Sequence, residues 1–343
     1  MGVESIEKSK RSSCETKLST TPTNNIYIGL DVGRTIRGAA VREDGSILCQ
    51  HQVVSEVSDP RAFIEQLIGV INKLRPGGGE SGVSAAGIGW AGLVNQSAQR
   101  IEANPNLVDV TSFELHTELE RGTGLPIVID NDANVAAYGE WRCGAARGAS
   151  DVFFVTMGTG IGSGLILGGE LQRGSRGFAG EFGHFKVELD GLECACGSTG
   201  CLETLASGPN IVRRVREKLF SDPAFSLSQL ASDMEGTLTA QRVFEAATAS
   251  DELAVSVLNE TGQILGSTIA SVINLLNVEV VVLGGGVMAA GNLILAPIRD
   301  QARSAAVGVS YDCCRIVAAE LGQDAGIIGA ALLARDYRQR KPE

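Results

Sequence analysis

The sequence predicts an α/β protein made of two related halves with a cleft between them. Short apolar strands ending in Gly/Thr turns appear in both halves of the chain, and a stretch with helical apolar spacing separates strands in the first. Composition agrees: 43 of the 343 residues are glycine, nine are proline and 5% are aromatic. That mixture suits an enzyme with many tight loops and argues against a β-sandwich or a coiled coil. The length makes two domains the natural division and supplies ample chain for a large core.

Taken in order, residues 1–25 are polar and rich in Ser, Thr, Lys and Glu, and read as a disordered N-terminal tail. They hold no apolar run for a secretory signal or membrane span. Met1-Gly2 is followed by Ile6 where myristoylation expects Ser or Thr. Ile26 to Leu30, Ile36 to Arg42 and Ile47 to Val54 read as three strands, with Glu43-Asp44-Gly45 marking a turn. Asp59 to Leu74 carries Phe63, Ile64, Leu67, Ile68 and Ile71 at helical spacing, and Pro76-Gly-Gly-Gly79 breaks it. Val83 to Gly89 and Pro126 to Ile129 read as buried parallel strands, and Ala133 to Arg142 as a helix. The strand pattern returns with Val152 to Met157, Gly164 to Leu167 and Glu170-Leu171.

Three glycine turns follow strands. The first, Asp31-Val-Gly33-Arg-Thr35, combines a carboxylate, a glycine that lets backbone approach a phosphate and a hydroxyl donor. The second, Gly158-Thr159-Gly160-Ile-Gly162-Ser-Gly164, reads as a run of exposed N–H groups, an anion-binding concavity. It has no Lys and precedes no helix, so it is neither a Walker A loop nor a dinucleotide fingerprint. The third, Gly284-Gly285-Gly286, reads equally as a tight strand-to-helix turn or as backbone lying against a nucleotide base or ribose.

One segment points to a metal. His184 and Cys194-Ala-Cys196-Gly-Ser-Thr-Gly-Cys201 bring together one of three histidines and three of eight cysteines. Three thiolates and one imidazole fill a tetrahedral zinc site with no open position, so the metal is structural. The competing reading is a chance or disulfide-bonded cluster; the spacing, the histidine and the glycines favour zinc. Glu181 and Glu203 flank these ligands. Cys14, Cys49, Cys143, Cys313 and Cys314 have no framework spacing and read as reduced thiols of a cytoplasmic protein.

The candidate base is Asp132 in Asn131-Asp132-Ala-Asn134, where an apolar strand runs into a helix. Ligands of α/β proteins sit at such strand ends. The competing reading is that Asp130 or Asp132 only caps the helix. The net charge of −11 disfavours nucleic acid and anionic membrane as partners, yet allows ATP held by backbone amides and magnesium.

These residues resemble the ROK family of sugar kinases and repressors, within the hexokinase/actin ATPase superfamily. The resemblance runs from about Asn25 to Arg335. It rests on Asp31-Val-Gly-Arg-Thr35, Gly87-Ile-Gly-Trp-Ala-Gly92, Asn131-Asp132-Ala-Asn134, Gly158-Thr-Gly-Ile-Gly162, Glu181-Phe-Gly-His184 with the cysteine block, Leu283-Gly-Gly-Gly286 and Ala325-Gly-Ile-Ile-Gly329. It implies a two-domain actin-like ATPase (ribonuclease H-like) fold with an interdomain cleft and a zinc-binding loop. The small domain would comprise 26–130 plus 325–343, and the large domain 131–324 would carry the zinc loop and the dimerisation surface.

The resemblance also implies roles. Asp132 would be the general base; Asn106, Asn131, Glu181, His184 and Glu203 would hold sugar hydroxyls, His184 binding zinc through its other nitrogen. Asp31, Gly33 and Thr35 would face magnesium and phosphate, Gly158, Thr159 and Gly160 would cradle phosphates, and Gly285 and Gly286 would meet the adenosine. The implied protein is a cytoplasmic homodimer using ATP, Mg2+ and a structural Zn2+. Its expected activity is that of an ATP-dependent glucokinase. N-acetylmannosamine, N-acetylglucosamine or fructose kinases of the same family are alternatives, and a sugar sensor or repressor is the alternative of another class. Repressors of the family carry a winged helix-turn-helix ahead of this fold, and only the short polar segment precedes the first strand here. Two positions depart from the family. Arg34 replaces the second glycine of Asp-x-Gly-Gly-Thr, where it either clamps phosphates or crowds them. Ala91 replaces the proline of Gly-x-Pro-Gly.

Overall fold

Antiparallel hairpins open the fold because β-rich runs are separated by short polar turns. β1 (Ile26–Val32), β2 (Thr35–Arg42) and β3 (Ile47–Val54) pair in succession, and Gly45, at φ +86°, takes the left-handed turn position between β2 and β3. This computed structural model describes residues 25–76, 82–96, 100–103, 107–225, 228–233 and 238–340. The tail expected over 1–25 lies outside the described residues apart from Asn25, as do Gly77 to Gly79 of the helix-breaking stretch.

Helix α1 (Pro60–Lys73) starts where Asp59 accepts the Ala62 N–H and Pro60 sets the first turn; its buried face is Phe63, Ile64, Leu67, Val70 and Ile71. There follow β4 (Val83–Trp90), the short pair β5 (Leu93–Asn95) and β6 (Arg100–Ala103), α2 (Leu115–Thr123) and β7 (Ile127–Asn131). β4 and β7 run parallel to β1, giving the order β3-β2-β1-β4-β7.

The second sheet repeats that order. After α3 (Asp132–Cys143), β8 (Val152–Met157), β9 (Ile161–Leu167) and β10 (Glu170–Leu171) form antiparallel hairpins. The chain then builds α4 (Glu203–Ala206), α5 (Gly208–Ser221), α6 (Ala240–Thr248) and α7 (Glu252–Leu276). β11 (Val280–Gly284), α8 (Asn292–Ala305), α9 (Gly308–Asp312), β12 (Arg315–Ala318) and α10 (Ala325–Arg340) complete it. The order is β10-β9-β8-β11-β12, with β11 parallel to β8 and to β12. The repeat expected from the two glycine turns is present as two matching five-stranded sheets.

Helices cover both faces of each sheet. On the first, α1 and α2 pack Phe63, Leu67, Leu115 and Leu119 against Leu30, Ile88 and Ile129. On its other face α10 lies directly on the strands, because Gly29 and Gly87 have no side chain; a Cβ there would strike the backbone of Ile327 and Ala330. α3 touches both sheets. Its Val135 packs with Ile327 and Ala330 and abuts Gly89, while its Ala137 packs with Phe154 and Val282 and abuts Gly164. That contact corrects the reading of the second glycine run. Gly162 and Gly164 belong to β9, where they admit Ala133 and Ala137 of α3, and the turn itself is confined to Gly158–Gly160. The fold is the two-domain actin-like α/β fold, and among the described residues no helix is long and apolar enough to cross a membrane.

Candidate active site and metal centre

β1, β4 and β7 are parallel, so their carboxyl ends form one edge: Val32 lies beside Trp90 and Trp90 beside Asn131. β7 enters α3 without a loop. Asn131 caps the helix, its Oδ1 accepting the Ala133 and Asn134 N–H groups and its Nδ2 donating to Gly92 O at 3.1 Å. The cap is therefore neither Asp130 nor Asp132. Asn131, expected to meet a sugar, thus caps the helix as well, with one Nδ2 N–H engaged by Gly92 O.

Asp132 stands at the first helical position. Burial pushes its carboxyl up to about 7, and the negative charges of Asp31 and Glu181 add to the rise against the pull of the Ala133 N–H. Asp31 is also raised by burial, with Arg37 opposing. Arg37 is itself held by Asp324 at 2.9 Å. The structure thus gathers Asp31, Asp132 and Glu181 from β1, α3 and the zinc segment.

Asp130 was singled out only as a possible cap. It is 1% exposed, accepts Arg173 Nε at 2.6 Å and Asn134 Nδ2 at 3.0 Å, and takes the Asn131 N–H. Arg173 follows β10, so this buried ion pair ties β7 to the second half of the chain beside the base. The only sequence signal was a charge closing the all-apolar run Ile127-Val-Ile.

The turn after β8 is closed from several sides. Glu203 Oε2 accepts the Ile161 N–H at 2.7 Å, and Gly208 N–H donates to Gly158 O at 2.8 Å. Glu203 thus holds the glycine turn with one oxygen. Gly285, at φ +86°, abuts the backbone of Met157, so its glycine is demanded by a close approach; Gly286 faces open space. On the first turn, Ser55 donates through its N–H to Arg34 O and through its hydroxyl to Gly33 O. Asn106 lies outside the described residues.

The metal cluster is assembled as expected: one donor atom each from His184, Cys194, Cys196 and Cys201 lies within 4.8 Å of the others. Gly197 and Gly200 sit at φ +85° and +68°, and bridges Lys186–Cys201 and Glu193–Thr199 pin the loop. His184 Nδ1 faces Cys194 Sγ at 3.6 Å, while Nε2 faces Glu181 Oε2 at 3.8 Å. Lys186 Nζ lies 3.0 Å from Cys201 Sγ. Soft donors, number and proximity fit one tetrahedral zinc ion.

Known proteins are similar to this chain in sequence and fold. The glucokinase of Halalkalibacterium halodurans is 38% identical over 314 residues, 90% of this chain and 94% of the relative. The N-acetylmannosamine kinase of Haemophilus influenzae is 30% identical over 317 residues, 92% of this chain and 97% of the relative. The crystal structure of a ROK family glucokinase from Streptomyces griseus, in complex with glucose and AMPPNP, superposes with a TM-score of 0.78 at 36% identity, over 91% of this chain and 100% of that one. The sequence model of the ROK family matches residues 27–337. With two matched sheets, an acid at their crease and a Cys3His loop beside it, the chain belongs to the ROK family.

Proposed function

We propose that the protein is an ATP-dependent hexose kinase acting on the 6-hydroxyl of glucose. The observation that carries this reading is Asp132, a carboxyl poised at about 7 where three parallel strands end. A base near the working pH takes a proton most effectively and contributes roughly 10²–10⁴-fold in rate. In the proposed step Asp132 accepts the hydroxyl proton and the sugar oxygen bonds to the γ-phosphorus. The bond from that phosphorus to its bridging oxygen breaks, and ADP leaves with the electron pair. Positioning and charge neutralisation supply most of the remainder.

Asp31 and Thr35 are assigned to face the magnesium nucleotide, the Gly158–Gly160 turn its phosphates, and Gly286 its adenosine. Magnesium, when bound, neutralises phosphate charge. Glu181, the free oxygen of Glu203, His184 Nε2 and the second Nδ2 N–H of Asn131 are assigned to sugar hydroxyls, while the Asn131 cap holds the helix that presents Asp132. Zinc, held by His184, Cys194, Cys196 and Cys201, supplies rigidity to the segment between Glu181 and Glu203. We assign residues 26–130 with 325–343 and residues 131–324 to the two domains. The enzyme is proposed to be a cytoplasmic homodimer, which light scattering after gel filtration checks.

The test is ADP release with Mg-ATP across glucose, mannose, fructose, N-acetylglucosamine and N-acetylmannosamine, with Asp132→Asn as the blank. Fast turnover of glucose that collapses in the variant is expected. Preference for N-acetylmannosamine would move the substrate to the second reading, supported by the 30%-identical relative. No turnover of any sugar would return the protein to the sensor class.

A further inference from the structure

The turn between β1 and β2 carries an arginine whose side chain no described residue engages. Of the three arginines of this hairpin, Arg37 is bound to Asp324 and Gln323 O, and Arg42 donates to Ser46. Arg34 is exposed, and its guanidinium has no partner among the described residues. It does not neutralise the neighbouring acids either. Arg37 is the cation that acts on Asp31, and the charges that act on Asp132 are Asp31 and Glu181.

Its place is fixed. Ser55 holds both carbonyls of the turn, and Ala91 N–H donates to Val32 O at 3.1 Å, locking the end of β1 to β4. Val32, Trp90 and Asn131 form one row across β1, β4 and β7. One residue beyond that row stand Gly33 at one end, with Arg34 next, and Asp132 at the other. Two strand spacings separate them, about 10 Å, a gap suited to a hydroxyl and a phosphoryl group. There is room as well, for a Cβ on Gly33 would meet nothing within 4 Å. The equivalent turn of the second sheet, Gly158-Thr159-Gly160, brings no positive charge.

We propose that Arg34 contacts the nucleotide phosphates, its guanidinium folding over the turn as a built-in clamp on the terminal phosphoryl group. This rests on the kinase reading of the same cleft. An open turn with an uncommitted guanidinium matches a tetrahedral oxyanion in charge and fork geometry, whereas the carboxylates opposite match hydroxyls. The clamp makes and breaks no covalent bond. It balances charge on the transferring group while the proton passes to Asp132.

The experiment compares wild type, Arg34→Gly and Arg34→Lys in two assays: titration with Mg-ATP and with AMP in the absence of sugar, and steady-state turnover of glucose with ATP varied. Arg34→Gly is expected to lower kcat/KM for ATP about 10- to 100-fold, the range of one charge-assisted contact. It should weaken ATP binding while leaving AMP binding and the KM for glucose unchanged. Lysine keeps the charge without the fork, so Arg34→Lys should recover part of the loss. Arg34 lies on an exposed turn, so a folded variant is expected, verified by circular dichroism. Equal or faster turnover by Arg34→Gly would overturn the clamp and make Arg34 an obstruction. A wild type that neither binds ATP nor turns over sugar defeats the kinase reading and the clamp together. A wild type that does both, matched by Arg34→Gly, defeats the clamp alone.

Discussion

The two turns that follow the central strands are equivalent in topology and opposite in construction. The turn after β1 is open: Gly33 has free space around it and Arg34 is uncommitted. The turn after β8 is locked, with Gly160 wedged against Glu203, Gly158 O bonded to Gly208 and Met157 pressed by Gly285. Repetition of the sheet delivers a turn to each wall of the cleft. Side chains then give one wall an uncommitted cation and pin the other with a carboxylate.

The largest effect should come from removing Asp132, the proposed base. Asp132→Asn is expected to lower kcat roughly 10²–10⁴-fold with the sugar KM nearly unchanged, measured by steady-state kinetics. A loss confined to KM would show that Asp132 binds sugar and takes no proton.

The metal proposed to rigidify the locked side comes next. Cys196→Ala should lose zinc and sugar affinity together, with sugar binding falling on the order of 10- to 100-fold. Metal content by mass spectrometry and calorimetry of sugar binding check this. Unchanged sugar affinity in the zinc-free protein would sever the two.

A third probe separates the turns by size. Gly285→Ala places a methyl group 2.5 Å from Met157 N at a left-handed φ, and should cost about 1–3 kcal/mol of stability. Gly33→Ala meets no atom within 4 Å and should cost within about 0.5 kcal/mol. Equal melting losses for the two would erase the contrast between an open and a locked turn.

The last probe is a pH dependence. Burial, Asp31 and Glu181 disfavour the charged form of Asp132, so it is protonated below about 7 and kcat/KM should rise as pH passes upward through that value. Stability has the opposite sign. The folded state binds this proton more tightly than the unfolded chain, so the stabilisation is present at low pH and is lost as pH rises through about 7. Asp132→Asn should therefore melt higher than wild type at pH 8, with the gain shrinking towards pH 4. A constant difference between the two proteins would place the shift elsewhere.

Much of this was legible in the sequence because local rules operated without competition. The hairpins of the first half obeyed strand chemistry and turn residues, and the metal ligands were fixed by spacing. The misreadings came where tertiary contacts redirected a residue. Gly162 and Gly164 looked like anion binders, yet their small size serves helix α3. Asn131, expected to meet a sugar, also caps that helix, a role Asn fills as readily as Asp. One Glu203 oxygen reaches Ile161, 42 positions away in sequence, and Arg173 finds Asp130 across 43; neither pairing leaves a periodic trace. Helix α7 escaped notice because it is apolar around much of its circumference, which hides the amphipathic signal.

The seating of α10 on Gly29 and Gly87 also orders events during synthesis. The first sheet is completed by the last 16-residue helix of the chain, so on the ribosome Tyr27, Ala39 and Val41 wait uncovered while everything between is translated. The second sheet has its strands and covering helices in hand earlier and is expected to fold first. Chains halted after Asp324 should therefore expose an apolar face to a dye such as ANS.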